Sequence, residues 1–191
     1  MAEGNGINWR RVARRVRVPL SFLFAFIFLY VARPTWLSIA AGGAIAAIGL
    51  CIRAIASGHV KKDKELATTG PYAYTRNPLY LGSTIIAVGF AIAGCNVWIG
   101  VGLVALYLAI YLPVIRGEEE YLTAHFPGYV EYKQRVPRLI PRFSVGSEGR
   151  SSFSRELYWQ HREYQALLGA AFMLAALATK IVVVDRLWSA R

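Results

Sequence analysis

Three carboxylates in a row, Glu118, Glu119 and Glu120, follow the longest charge-free stretch of the chain, residues 77–115, which Arg116 closes. Adjacent like charges repel, and at about 100° per residue three neighbours on one helix cannot all face water if that helix packs against another. One of them is expected to turn inward. Glu118 and Glu119 are the candidates, whereas Glu120 suits a solvated face with Arg116 four residues before it. A second group lies just before the same stretch, where Tyr72, Tyr74, Arg76, Asn77 and Tyr80 fall within nine residues. A third follows the carboxylates: His125, Tyr129, Tyr132, Lys133, Arg135, Arg138 and Arg142. These types have a shared chemistry. Carboxylates accept charge-assisted hydrogen bonds from hydroxyl and amino groups, a guanidinium forks onto a carboxylate, and a phenol face attracts a cation. By default the basic cluster from Lys133 to Arg142 attracts anionic lipid. His125 has no second His or Cys at ligand spacing, and Cys51 and Cys95 lie isolated in apolar sequence, so neither a metal site nor a disulfide is expected.

The elements that position these groups are membrane helices. The chain has 191 residues, 55% hydrophobic and 17% charged, a balance that excludes disorder and falls short of the usual charge of a soluble domain. A span needs about 20 mostly apolar residues. Residues 18–32 and 35–52 each supply one, divided by Arg33 and Pro34. The stretch 77–115 is too long for one crossing, and its turn-like break, Cys95-Asn96 after Gly94, predicts a tight helical hairpin with arms 79–94 and 97–115. Residues 164–184, interrupted only by Lys180, make a fifth. Gly70-Pro71 predicts a turn, Pro78 suits a first helical turn and Asn77 its cap; Gly82 and Gly89, seven apart, share a face suited to close helix contact. The expected fold is thus all-α, a polytopic integral membrane protein of about five transmembrane helices with a tight hairpin.

Orientation follows from the basic residues. The net charge of +11 alternates: Arg10 to Arg17 precede the first span, Lys61, Lys62, Lys64 and Arg76 follow the second, and Arg116 to Arg142 follow the fourth. The positive-inside rule places these, the N-terminus included, in the cytoplasm. Tyr30, Trp36, Trp98 and Trp188 then fall near the outer ends as an aromatic belt. With the charge so explained, nucleic acid is not an expected partner. A cleaved signal peptide is disfavoured, because Arg33-Pro34 after Ala32 makes a poor cleavage site. Three regions result: 1–60 with two spans, 61–145 with the hairpin and both polar motifs, and 146–191 with a linker and the last span.

The paired motifs, Gly-Pro-Tyr-x-Tyr-x-Arg-Asn-Pro-x-Tyr-x-Gly from Gly70 to Gly82 and Glu-Glu-Glu followed by Tyr-x-x-Tyr and Val-Pro-Arg-x-x-Pro up to Pro141, resemble the isoprenylcysteine carboxyl methyltransferase family and the related phospholipid methyltransferases. The resemblance covers about residues 66–142. It departs at Asn77, where the family usually has His; an amide hydrogen-bonds but cannot take a charge. The resemblance implies S-adenosylmethionine as cofactor, bound in a pocket at the cytoplasmic face, and methyl transfer to a lipophilic acceptor, a carboxylate of the isoprenylcysteine type. It implies Glu119, Arg135 and Arg76 as catalytic candidates, the arginines holding the acceptor's anionic group. Tyr72, Tyr74, Asn77, Pro78, Tyr80, Gly82, Glu118 and Tyr129 are implied on the cofactor. The alternatives are a phospholipid amine as acceptor, an NADPH-dependent sterol-type reductase, and a non-catalytic scaffold.

Overall fold

The computed structural model describes residues 23–60, 65–142 and 152–189, with side chains up to Val184. The N-terminal arginines, the start of the first span, Lys61, Lys62, Lys64, and the Arg186, Trp188 and Arg191 side chains lie outside the described residues. Among those described, all regular structure is helical: α1 (23–31), α2 (Trp36–Ser57), a 3-10 turn (Gly70–Ala73), α3 (Pro78–Gly94), α4 (Val97–Leu106), a π-helical turn (Tyr107–Tyr111), α5 (Leu112–His125), α6 (Tyr129–Arg135), α7 (Arg155–Gln160) and α8 (Tyr164–Ser189). Three helical stretches, Trp36–Ser57, Val97–His125 and Tyr164–Val184, are long and apolar enough to cross a membrane, and α3 is a shorter apolar helix.

Local chemistry sets the helix ends. Thr35 opens α2 with a reciprocal cap, its hydroxyl accepting from the Ser38 amide at 3.1 Å while Ser38 Oγ accepts from the Thr35 amide at 2.9 Å. The helix does not stop at Ile52: it carries Arg53 on to Ser57, because the guanidinium finds partners inside the protein. Cys95, left-handed at φ 47°, ends α3, and Asn96 accepts from the Trp98 amide at 2.9 Å to start α4, so the hairpin turns where the sequence breaks. The second arm is longer than expected. It runs without a stop from Val97 to His125, ten residues past Ile115, and therefore carries the three carboxylates inside the helix, about two turns before its end. Pro113 has no N–H for the Ala109 carbonyl, and just before it the helix widens into the π turn.

Helices α2 and α3 cross on glycine. A Cβ on Gly49 would stand 2.6 Å from the Gly82 carbonyl oxygen, and one on Gly89 2.6 Å from that of Gly42, so the two backbones meet at two places seven residues apart on each helix. At the hairpin-tip end, Phe28, Ala32, Ala93, Ile99 and Leu177 form a buried cluster. Tyr30, Trp36 and Trp98 are exposed at that same end, as a belt requires. There too Lys180 of α8 donates to the carbonyls of Leu29, Tyr30 and Ala32 at 2.6, 3.0 and 2.7 Å, satisfying the C-terminus of α1. The polar motifs gather at the opposite end of the bundle.

Candidate active site

Helix α6 folds back on the first motif through aromatic packing. Tyr129, Tyr132 and Val136 form a second buried cluster with Leu66, Leu122 and Phe126 against it. Tyr132 Oη donates to the Tyr72 carbonyl at 2.7 Å, pinning α6 to the 3-10 turn. Pro137 then forces the chain into an extended exit that runs beside residues 74–77: the Arg76 amide donates to the Pro137 carbonyl at 2.9 Å, the Arg142 amide to the Tyr74 carbonyl at 3.0 Å. Thr75 Oγ1, buried between the strips, lies 3.2 and 3.1 Å from the Arg138 and Leu139 carbonyls.

This arrangement surrounds Glu119. Of the three carboxylates it is the one turned inward, its side chain 6% exposed, while Glu118 and Glu120 are exposed. Arg138 forks onto it, with Nε 3.1 Å from both oxygens and Nη2 2.8 Å from Oε2. Arg76 approaches from the other side, Nη1 at 3.2 Å from Oε1, and also reaches the Tyr129 hydroxyl at 3.5 Å. Asn77 completes the shell: its amide donates to the Arg138 carbonyl at 3.0 Å and toward Glu119 Oε1 at 3.5 Å. Asn77 stands at the N-cap position of α3 as expected, yet its side chain makes no cap hydrogen bond, having been given to this shell instead.

Charge does not balance here. One carboxylate faces two guanidiniums, and the Nε of Arg76 is buried without a hydrogen-bond partner among the described residues. An unfilled buried donor costs about 1 to 3 kcal/mol, and two guanidiniums on one carboxylate leave the cluster with an excess of positive charge. The fork to Glu119 holds Arg138 above its ordinary pKa. Burial, then the nearby Glu119 charge, pushes the Tyr129 phenol up; burial likewise raises Tyr72 and Tyr132, so all three stay neutral at physiological pH.

An apolar groove lies between α3 and α4. Because α3 packs along α2 rather than along its hairpin partner, α3 and α4 diverge and leave a space of about 720 Å³ lined by Ser83, Ala87, Ala91, Gly100, Leu103 and Tyr107. At its polar end the Tyr111 ring meets Tyr80 edge-on at 5.9 Å, and Tyr80 Oη donates to Glu118 at 2.9 Å. Tyr80 thus links the groove's Tyr111 to Glu118.

The structure brings Arg76, Asn77, Glu119 and Tyr129 into one cluster and places Tyr80 with Glu118 next to it. Pro78 is buried at the start of α3, and Tyr72 is buried under Tyr132. Tyr74 holds the exit strip by its carbonyl. Gly82 faces α2 instead of the groove, and Arg135 is exposed at the end of α6. The arginine that joins Arg76 at Glu119 is Arg138, which the sequence presented only as one cation of a basic cluster; its place between Pro137 and Pro141 was the available signal. His125 stays outside the cluster, exposed and stacked on Tyr121. No group of three His, Cys, Asp or Glu side chains among the described residues is placed to hold a metal ion.

Part of the chain is similar to known proteins. The phospholipid methyltransferase family profile matches residues 36–128. A protein-S-isoprenylcysteine O-methyltransferase of Schizosaccharomyces pombe is 32% identical over 143 residues, 71% of this chain and 60% of that protein. The Rattus norvegicus protein of the same name is 35% identical over 121 residues, 56% of this chain and 42% of the relative. A nickel-cobalt-cadmium resistance protein of Alcaligenes xylosoxydans xylosoxydans is 34% identical over 85 residues, 44% of this chain and 40% of the relative. The chain therefore spans between 40% and 60% of the length of these relatives. No solved structure matches.

Proposed function

We propose, for a chain that belongs to the isoprenylcysteine carboxyl methyltransferase family with its phospholipid methyltransferase relatives, that it methylates the carboxylate of a lipophilic acceptor at the cytoplasmic membrane face. The observation that carries this reading is the excess positive charge at Glu119, with the buried Arg76 Nε left unfilled. Such a site suits an anionic acceptor.

The residues also fit S-adenosylmethionine. Glu118, held by Tyr80 at the groove's polar end, would take its ribose hydroxyls or amino group, and neutral tyrosine faces would hold its cationic sulfur. When bound, that cofactor supplies a methyl group on a sulfonium: a carboxylate oxygen forms the new C–O bond as the C–S bond breaks, and its electron pair leaves on a neutral thioether. The acceptor carboxylate is already ionised at neutral pH, so no general base is required. The protein's task is alignment. Arg76 and Arg138, fixed by Glu119, orient the carboxylate in line, and the groove between α3 and α4 receives the hydrocarbon tail. Tyr72, Tyr129 and Tyr132 keep the back of the site dry.

The matching phospholipid methyltransferase profile favours one rival, an amine acceptor. Offering the purified chain a farnesylated cysteine carboxylate and a phosphatidylethanolamine in parallel separates the two. The carboxylate reading requires methylation of the first; methylation of the second alone would replace it.

A further inference from the structure

Arg53 is the single charge in an otherwise apolar α2, and the distribution of its five donors is unusual. Two arms fork onto Glu163, just before α8: Nε to Oε2 at 3.0 Å and Nη2 to Oε1 at 2.8 Å. The third, Nη1, turns to α3, donating to Ser83 Oγ at 2.5 Å and to the Leu79 carbonyl at 3.4 Å. Ser83 Oγ in turn donates to that same carbonyl at 2.9 Å. Leu79 lies two residues after Asn77 and three after Arg76. The motif glycine makes room for this bridge: a Cβ on Gly82 would lie 2.6 Å from Arg53 Cγ.

A guanidinium beside the N-terminal turn of a helix opposes the helix dipole, and in a half-buried position it is costly unless a carboxylate neutralises it. Glu163 does so. Around it the C-terminal segment is fastened at further points: His161 Nδ1 lies 3.1 Å from the Ser57 carbonyl and the Ser154 amide donates to the Gly58 carbonyl at 3.0 Å. Both Glu163 and α8 lie beyond the residues matched by the family profile.

We infer that Arg53 and Glu163 are a positioning pair, through which the C-terminal helix sets the first turn of α3 and hence the placement of Arg76 and Asn77 against Glu119. Its turnover arm rests on the methyl-transfer reading; its exchange arm does not. The full-length wild type, Glu163→Gln and the charge-swapped Arg53→Glu/Glu163→Arg are compared for melting temperature, amide exchange over residues 77–83, and turnover with S-adenosylmethionine and a farnesylated cysteine. Glu163→Gln is expected to speed exchange over residues 77–83 and to lower turnover about tenfold or more, with cofactor affinity little changed. The swap is expected to recover melting temperature, since the ion pair is rebuilt, but neither exchange protection nor turnover, since a carboxylate at position 53 cannot donate to the Leu79 carbonyl. Recovery of all three would make the pair a latch between helices and overturn the inference, as would unchanged exchange in Glu163→Gln. A wild type that transfers no methyl group would sink the methyltransferase reading, while the exchange comparison would still decide this one.

Discussion

Arg138 meets Glu119 as a two-point fork across a separation of 19 residues in sequence, with Nη2 2.8 Å from Oε2. That contact ties the extended exit after α6 to the continuous helix that carries the carboxylates. Arg138→Lys leaves a point charge where a planar clamp stood, and is expected to lower turnover at least about tenfold. Arg135→Lys, at an exposed position, is expected to retain most activity. Steady-state kinetics on the two variants checks this; the reverse order would return the role of anion clamp to Arg135.

Glu118 and Glu120 are both exposed, and Glu118 accepts from Tyr80 at the groove's polar end. Glu118→Gln is therefore expected to weaken S-adenosylmethionine binding by about 1.5 to 3 kcal/mol, the worth of a charge-assisted hydrogen bond, and Glu120→Gln to change it little. Calorimetric titration reads both. Equal affinities would show that the exposed carboxylates do not touch the cofactor.

A side chain added at Gly100 meets nothing within 4 Å, so the fold tolerates one, but that space is the groove. Gly100→Leu is expected to raise KM for a long-chain acceptor about tenfold or more while leaving cofactor affinity and melting temperature unchanged. Unaltered KM across acceptors of graded tail length would remove the groove from the account.

Topology has a direct readout in Cys95, which sits exposed at the hairpin tip, whereas Lys133 stands at the opposite, site end. In intact cells an impermeant maleimide is expected to label Cys95 and to miss a cysteine placed at position 133. Labelling of both from outside would contradict a cytoplasmic site.

Much of this was legible from the chain alone. The Cys95-Asn96 turn, the glycine face at Gly82 and Gly89, and the inward turn of one carboxylate follow from helix geometry and local propensity, which act over a few residues. Helix ends were less legible. Arg53 and Arg116 read as the ends of apolar spans because hydropathy counts charges without their partners, and Glu163, the partner of Arg53, is remote in sequence. The same reason hid Arg138 in its basic cluster: a one-dimensional pattern does not say which of several arginines a proline will aim at a distant carboxylate. Asn77 reads as a cap by position, and only the fold shows its amide spent on Glu119 and Arg138.

Transfer of a labelled methyl group from S-adenosylmethionine to a farnesylated cysteine by the purified chain, scored by lability of the product to mild base, decides whether the Glu119 cluster serves a methyl-accepting carboxylate. An ester formed at a carboxylate held by Arg76 and Arg138 releases its label as methanol on base treatment, and the signal is expected to saturate with acceptor and to collapse in Glu119→Gln. The collapse is expected because Glu119 fixes both guanidiniums, and without it neither Arg76 nor Arg138 is held in line. No transfer to any lipophilic carboxylate, or label that survives base on an amine lipid, would contradict the account.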